Sequence, residues 1–174
     1  KHNEDSISRQ TGHHKSRIKI CRIDHRLLHG QVAFVWCRSL NADAILIVSD
    51  AVAKDEMRMA TMRLAKPAGV KLVIKSVEDS IKVINSGVTD KYKLMVVVEN
   101  VQDAYDLVKA CERIKSVNLG GSKIEENRRK LDTAFYVDDN DCRLLGELLD
   151  HGIELEIRQV PEEKKKIVTK DMLS

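Results

Sequence analysis

The chain has 174 residues, a length that fits one domain at roughly 150 residues per domain. Its 30 basic and 27 acidic side chains leave a net charge of only +3, too little to surround the molecule with a field that attracts polyanions. One Trp, three Tyr and two Phe are too few for a surface that stacks nucleic-acid bases. The longest apolar runs, Ala44 to Val48 and Leu94 to Val98, fall far short of the roughly 20 residues that a membrane-spanning helix needs.

The N-terminal residues 1–17 are polar and have no apolar segment, so they predict a disordered extension, either native or left by a cloning vector. The four cysteines show no C-x-x-C spacing, which argues against a zinc knuckle or a thioredoxin-type site. Three of the four lie in apolar segments, where we interpret them as small buried hydrophobic residues in a reducing cytoplasm, and the sequence leaves disulfide pairing open. The four cysteines are Cys21, Cys37, Cys111 and Cys142.

From Ile18 onward, short β-type runs alternate with helix-type segments. The second and fourth runs are apolar throughout, which is typical of central parallel strands covered on both faces. The alternation predicts one α/β domain over residues 18–168, with a mostly parallel sheet between two layers of helices, followed by a C-terminal tail at 169–174. The predicted strands are Ile18–Ile23, Ala44–Ser49, Val70–Lys75, Lys93–Val98, Ser116–Leu119, Ala134–Val137 and Ile153–Gln159.

The segments between the strands carry the usual signals for helix ends. Ser76 and Asn100 are each followed three residues later by an aspartate, which predicts an N-cap with an acid in the first turn. The segment Asp138–His151 has a leucine stripe on one face and is followed by Gly152, which predicts a helix that ends there.

In an open parallel sheet, ligands bind beyond the carboxyl ends of the strands. The turn after the first strand is the richest in polar chemistry, because it reads RIDHRLLHGQV from Arg22 to Val32. Two arginines together with the start of the next helix favour an anion with several oxygen atoms. The ionisable residues of this turn are Arg22, Asp24, His25, Arg26 and His29.

A histidine in such a place can act as a nucleophile. The neutral ring of His29 has a nitrogen that can attack phosphorus and carry a phosphoryl group covalently. Gly30 would let the backbone approach the phosphate, and Gln31 could donate a further hydrogen bond. Asp24 could either hold an arginine or orient the imidazole through the nitrogen that does not react.

Other chemistries for these turns are weaker. A metal held by His25 and His29 is opposed by the positive charges of the neighbouring arginines, so no metal is expected. Asp50, after the second strand, lacks the acidic cluster and lysine that a phosphoaspartate site requires. Gly120 and Gly121, after the fifth strand, form either a second phosphate-binding turn or an ordinary turn. We predict that Trp36 belongs to the core.

The segment from Arg22 to Val32 closely resembles the active-site signature of enzyme IIB of the mannose/fructose/sorbose family of the bacterial phosphotransferase system (PTS). Weaker similarity runs from about Ile18 to Val168. The resemblance implies a three-layer α/β fold with a mostly parallel seven-stranded sheet, the sorbose-type IIB fold. It also implies that His29 is the phosphorylated histidine and that no cofactor is used. The residues that would shape the phosphate pocket are Asp24, Arg26, Gly30 and Gln31, with Arg22, His25, Asp50, Gly120 and Gly121 as secondary candidates.

For such a protein, the resemblance implies a place in a chain of phosphoryl transfers. His29 would receive phosphate from the phosphohistidine of a IIA protein, across an exposed rim near Arg22 and Arg26. It would then pass phosphate to a sugar of the mannose, fructose, sorbose or N-acetylgalactosamine type. The sugar enters a bacterium through the membrane subunits IIC and IID, so IIB would be cytoplasmic and peripherally associated with the inner face of the membrane. A homo-oligomer is compatible with the sequence.

Two other functions remain open from the sequence. One is a non-catalytic α/β module that binds a phosphorylated metabolite at the same turn and regulates a partner. The other is an assembly role in which the charged turn is surface only. His25 stands where many relatives have an acidic residue, and the sequence leaves its role open.

Overall fold

The computed structural model describes residues 17–174, so the extension predicted at residues 1–17 lies outside the described part except for Arg17. Arg17 is tied to the domain, because its carbonyl oxygen accepts the backbone N–H of Leu94 at 2.8 Å and its Nε donates to the carbonyl oxygen of Asp90 at 2.8 Å.

Within this part of the chain, strands and helices alternate as the sequence predicts. The strands are β1 (Ile18–Asp24), β2 (Ala44–Val48), β3 (Lys71–Lys75), β4 (Leu94–Val98), β5 (Ser116–Gly121), β6 (Arg129–Asp132), β7 (Phe135–Val137), β8 (Glu154–Ile157) and β9 (Lys166–Ile167). The α-helices are α1 (Gly30–Leu40), α2 (Glu56–Leu64), α3 (Val77–Ser86), α4 (Val101–Ala110) and α5 (Asp139–Asp150). Short 3₁₀ turns lie at Val52–Lys54 and Lys170–Leu173.

Seven of the strands form one sheet in the order β3-β2-β4-β1-β5-β8-β9, which is parallel except that β9 pairs antiparallel with β8. The prediction of a mostly parallel seven-stranded sheet is confirmed, but its membership differs. The run predicted at Ala134–Val137 forms β7, which pairs with β6 in a separate hairpin. The seventh strand of the sheet is β9, whose two residues lie in a charged segment without an apolar pattern to mark it.

The helices cover both faces of the sheet, which confirms the three-layer architecture. On one face, α1 and α2 bury a core cluster that includes Trp36, Met62 and the sheet residue Val97. On the other face, α3, α4 and α5 bury a second cluster that includes Leu107 and Leu145. No helix of residues 17–174 is both long and apolar enough to cross a bilayer.

The predicted helix ends are also present. The side chains of Ser76 and Asn100 accept backbone N–H groups of the first turns of α3 and α4. Asp138 begins α5 in a capping box with Asp141, and Gly152 follows its end with φ of 79°. The expected C-terminal tail belongs to the fold, because Leu173 is buried in the cluster beneath α5.

The topology determines where a site can form. β1 lies between β4 and β5 in the sheet. The connection after β1 runs toward the β3 edge of the sheet, whereas the connection after the neighbouring β4 runs toward the β9 edge. Such a reversal opens a crevice at the carboxyl ends of the strands. The turn after β1, which carries the predicted site, lies at this crevice.

Candidate functional site

The bend from Asp24 to His29 is held by its own hydrogen bonds. The backbone N–H of Leu27 donates to the carbonyl oxygen of Asp24 at 2.9 Å, and that of His25 donates to the carbonyl oxygen of Gly121 at 3.1 Å. Leu27 has a φ of 57°, in the left-handed region that leucine rarely adopts. Its side chain and that of Leu28 are buried in the core, and this burial offsets the strain.

His29 is placed at the N-cap of α1 with its side chain free of any capping bond. Its Nε2 lies 2.9 Å from Oδ2 of Asp24, and its Nδ1 lies 2.5 Å from a guanidinium nitrogen of Arg26. Because arginine can only donate and a carboxylate can only accept, Nε2 carries the proton and Nδ1 carries the lone pair. With 19% of the side chain exposed, the ring is partly open to solvent.

Asp24 is the buried carboxylate on which this arrangement depends. Its Oδ2 accepts from both His29 and Arg22, the latter at 3.1 Å, while its Oδ1 accepts the backbone N–H of Arg26 at 3.0 Å. Burial acts to raise the pKa of Asp24, but the hydrogen bond from His29 and the charge of Arg22 oppose it and leave the pKa below its usual value. Asp24 therefore both holds an arginine and orients the imidazole, the two roles that the sequence left open.

Arg22 lies inside the protein, so the prediction that it forms an exposed rim with Arg26 is wrong for Arg22. Its side chain is 3% exposed, and its guanidinium donates to Oδ1 of Asn118 at 2.8 Å and to the carbonyl oxygen of Arg158 at 3.2 Å. Burial lowers the pKa of Arg22, and the charge of Asp24 opposes that shift. Of the two arginines, only Arg26 is exposed.

Trp36 is buried as predicted, yet it does more than fill the core. Its indole N–H donates to the carbonyl oxygen of Gln159 at 2.8 Å, and the guanidinium groups of Arg22 and Arg158 lie 5.2 and 5.0 Å from its ring centroid. The sequence analysis did not identify these contacts around Arg22, nor the hydrogen bond from Arg22 to Asn118. A signal was present, since Asn118 interrupts the apolar run of β5, and a buried amide in a strand needs a partner.

Gly120 is required by the close approach of Arg22. A Cβ atom at Gly120 would lie 2.2 Å from Cζ of Arg22, whereas a Cβ at Gly121 would make ordinary contacts, 3.5 Å from Nδ1 of His25 and 3.6 Å from Oδ1 of Asp24. The pair is therefore not simply a turn, because its first glycine makes room for the guanidinium.

An open pocket of about 600 Å³ lies against this cluster, and its walls include Arg22, Arg26, His29 and both glycines of β5. The first turn of α1 contains no acidic residue, so the positive end of the helix is not neutralised. Gly30 enters the helix with a φ of 42°, a conformation that glycine adopts freely. The pocket suits a phosphate-like anion.

Of the other site residues that the sequence predicts, only some line this pocket. His25 lines the same pocket, while Gln31 is exposed in the first turn of α1 and is not one of the lining residues. Asp50 does not line this pocket, and its Oδ1 accepts the backbone N–H of Val77 at the start of α3. Its charge acts instead on Asp103, where burial, Asp50 and Glu99 together raise the pKa to about 6.

The contact between Gly120 and Arg22 yields a test of the buried support. We expect Gly120→Ala to lower the free energy of unfolding by about 1–3 kcal/mol, because the guanidinium must leave its partners to admit a methyl group. Gly121→Ala is the matched control and should change it by less than about 1 kcal/mol. Urea unfolding followed by the fluorescence of the single tryptophan measures both, and equal stability of the two variants would contradict the packing described.

The carboxylates around Asp103 yield a pH-dependent test. Because folding raises its pKa from 3.8 to about 6, ionisation of Asp103 costs stability, and wild-type stability falls as the pH rises through that interval. Asp103→Asn should be more stable than wild type at pH 7, by about 1 kcal/mol after allowance for partial exposure, and equal to it near pH 4. Glu112→Gln, which removes an exposed carboxylate just after α4, is the control; a pH-independent effect of Asp103→Asn would refute the interpretation.

Comparison with known proteins identifies the family of this chain. The family model for the PTS system sorbose subfamily IIB component matches residues 18–173. A fructose-specific EIIB component of the PTS from Bacillus subtilis is 36% identical over 146 residues, which are 84% of this chain and 90% of the relative. The mannose-specific EIIAB component of the PTS from Escherichia coli is 35% identical over 148 residues, 85% of this chain but 46% of that longer protein.

Among solved structures, the IIBSor domain of the sorbose permease from Klebsiella pneumoniae superposes with a TM-score of 0.84 at 30% identity, covering 90% of this chain and 95% of that domain. The family match, the sequence relatives and the shared fold agree with one another. The chain therefore belongs to the sorbose-subfamily IIB components of the PTS.

Proposed function

We propose that this chain is a phosphoryl carrier in which Nδ1 of His29 accepts a phosphoryl group from the phosphohistidine of a IIA protein and donates it to a sugar hydroxyl. One observation carries the proposal: Asp24 holds Nε2 of His29, while Nδ1 contacts the exposed Arg26 and the residue lines an open pocket together with two arginines. Membership of the IIB family supports phosphoryl transfer in sugar uptake. The name EIIAB of the Escherichia coli relative supports a IIA partner.

The first transfer needs no proton to move. The lone pair on Nδ1 of His29 forms a bond to phosphorus as the donor's P–N bond breaks, and that electron pair returns to the donor imidazole. Asp24 accepts from Nε2 throughout and stabilises the positive charge that develops on the ring. Since both donor and acceptor are imidazoles, the step is close to balanced in free energy and reversible.

Arg26 and Arg22 have different parts in this step. Arg26 is exposed and contacts Nδ1 directly, so its guanidinium must leave the nitrogen and move onto the phosphoryl oxygens as the new bond forms. Arg22 is fixed by its buried partners and adds positive charge from the pocket wall. Phosphoryl transfer passes through a loose transition state, for which alignment and such charge supply most of the catalysis.

The second transfer delivers phosphate to a sugar of the mannose, fructose, sorbose or N-acetylgalactosamine type as it enters through IIC and IID. We propose that the domain works at the cytoplasmic face of the membrane and associates with these subunits peripherally. The names of the relatives differ in the sugar, fructose in one and mannose in another, which accords with a sugar choice made mainly by the membrane subunits.

The phosphoryl carrier is tested by labelling. Incubation with phosphoenolpyruvate, the general phosphocarriers and the IIA part of the Escherichia coli EIIAB component, or with phosphoramidate as a small donor, should place acid-labile, base-stable phosphate on His29. His29→Ala should take up none and keep its fold by circular dichroism. His151→Ala, at the far end of α5, is the matched control and should label as wild type does.

Two outcomes would contradict the assignment. Phosphate found on His25 in place of His29 would move the nucleophile. Absence of covalent label together with reversible binding of a sugar phosphate would favour the alternative function, a non-catalytic module that binds a phosphorylated metabolite.

Arg26 yields a kinetic prediction. Arg26→Ala should slow phosphorylation of His29 by about 10²-fold, because one charged donor to the transferring group is lost while Asp24 still holds the ring. Rapid-quench measurement of the label gives the rate, and Arg38→Ala, exposed in the last turn of α1, is the control. An unchanged rate for Arg26→Ala would remove Arg26 from the transfer step.

A further inference from the structure

The two transfers differ in their need for a base. Between two imidazoles only the phosphoryl group moves, whereas a hydroxyl acceptor must lose its proton as its oxygen bonds to phosphorus. When the bond between phosphorus and Nδ1 of His29 breaks, the electron pair returns to Nδ1, and Nε2 keeps its proton against Asp24. A base that accepts the hydroxyl proton therefore assists the second transfer and has no part in the first.

Most groups around the pocket are unsuited to accept it. Arg22 and Arg26 are donors without acceptor capacity. Both carboxylate oxygens of Asp24 already accept hydrogen bonds, and its lowered pKa disfavours protonation. Two carboxylates lie on the far side of His25, and both are engaged. Glu99 accepts the hydroxyl of Ser49 at 2.8 Å, and Oε2 of Glu125 lies 3.7 Å from Nε of Arg128.

His25 is the group that remains, and its surroundings fit a base. Its Nδ1 is buried without a hydrogen-bond partner among residues 17–174 and lies 3.9 Å from Oδ1 of Asp24. The carboxylate of Asp24 thus stands between two rings, with Oδ2 toward His29 and Oδ1 toward His25. A proton on Nδ1 facing Asp24 leaves the lone pair on Nε2, on the part of the ring that is exposed.

The same ring separates two pockets. On one side lies the anion pocket of His29, and on the other lies a polar pocket of about 520 Å³ beside the start of α4. The second pocket offers mixed donors and acceptors, among them Glu99, Asn100 and Lys123, above the apolar side chains of Ile23 and Val101. Such a mixture suits the hydroxyl groups of a polyol.

We propose that His25 is a second catalytic residue, which accepts through Nε2 the proton of the hydroxyl that attacks phospho-His29, while the polar pocket receives the hydroxyl-bearing acceptor. In this step an O–P bond forms, the P–Nδ1 bond breaks, and the hydroxyl proton passes to His25 and then to solvent. Asp24 orients the ring of His29 through Oδ2, and the negative charge of its Oδ1, 3.9 Å from Nδ1 of His25, favours a proton on that nitrogen. The inference rests on the proposed function and adds to it the residue that serves the second transfer only.

The test measures the two half-reactions separately: phosphorylation of His29, and loss of its phosphate to water as the hydroxyl acceptor. Wild type, His25→Ala and His25→Glu are phosphorylated with phosphoramidate, and phosphate on His29 is followed by ³¹P NMR after removal of the donor. His25→Ala should be phosphorylated at close to the wild-type rate but lose phosphate to water at least about tenfold more slowly. His25→Glu, which supplies another base, should recover most of that loss, and His151→Ala should behave as wild type.

The other possible results contradict either the role of His25 or the proposed function. Dephosphorylation of His25→Ala at the wild-type rate overturns the proton-acceptor role. Equal slowing of both half-reactions, or a failure of Glu to restore the second, also overturns it, because His25 would then only support the position of His29. If wild type takes up no phosphate on His29, the proposed function itself fails, an outcome distinct from these.

Discussion

The buried ion pair between Arg22 and Asp24 is the interaction on which the site depends. Removing two charges from water is costly, and a pair inside a protein is stabilised by hydrogen bonds to its other donors and acceptors. Here one terminal nitrogen of Arg22 donates to Asn118 and to the carbonyl oxygen of Arg158, and only Nε has no partner among residues 17–174. On the other side, a backbone N–H and the ring of His29 donate to the carboxylate of Asp24. The pair is thus one part of a network. Because Asp24 in this network accepts from Nε2 of His29, it determines the tautomer of that ring.

This arrangement explains why the rigid and mobile parts of the site are divided as they are. Arg22 is enclosed by Trp36 and β5 and cannot follow a phosphate, so it contributes fixed charge. Arg26 is anchored through its backbone N–H to Asp24 but has an exposed side chain, so its guanidinium can exchange the imidazole for phosphoryl oxygens. In the proposed transfer, one charge that stays and one that moves would allow phosphate to be both accepted and released.

The sequence predicted those elements and site residues whose signals lie within a short stretch of the chain. Apolar runs predicted β2 and β4, and capping residues predicted the starts of α3 and α4. A leucine stripe predicted α5, and the crowding of His29, Asp24 and Arg26 on one bend predicted the centre of the candidate site. The sequence did not predict β9, because a two-residue edge strand has too few core contacts to impose an apolar pattern. Nor did it predict Asn118 and Arg158, which lie 96 and 136 residues from Arg22 and meet it only through the order of the strands.

The same strand order links the two histidines of the bend to different neighbours. β1 has β4 on one side and β5 on the other, so the residues after β1 face the turns that follow both strands. His29 lines the anion pocket together with the glycines of β5. His25 lines that pocket too, and it also lines the polar pocket with Glu99 and Asn100 after β4. Since one carboxylate lies between the rings, a change of charge on either ring alters the electrostatic environment of the other. A central strand that ends between two different turns thereby places an anion site and a polar site within reach of one aspartate.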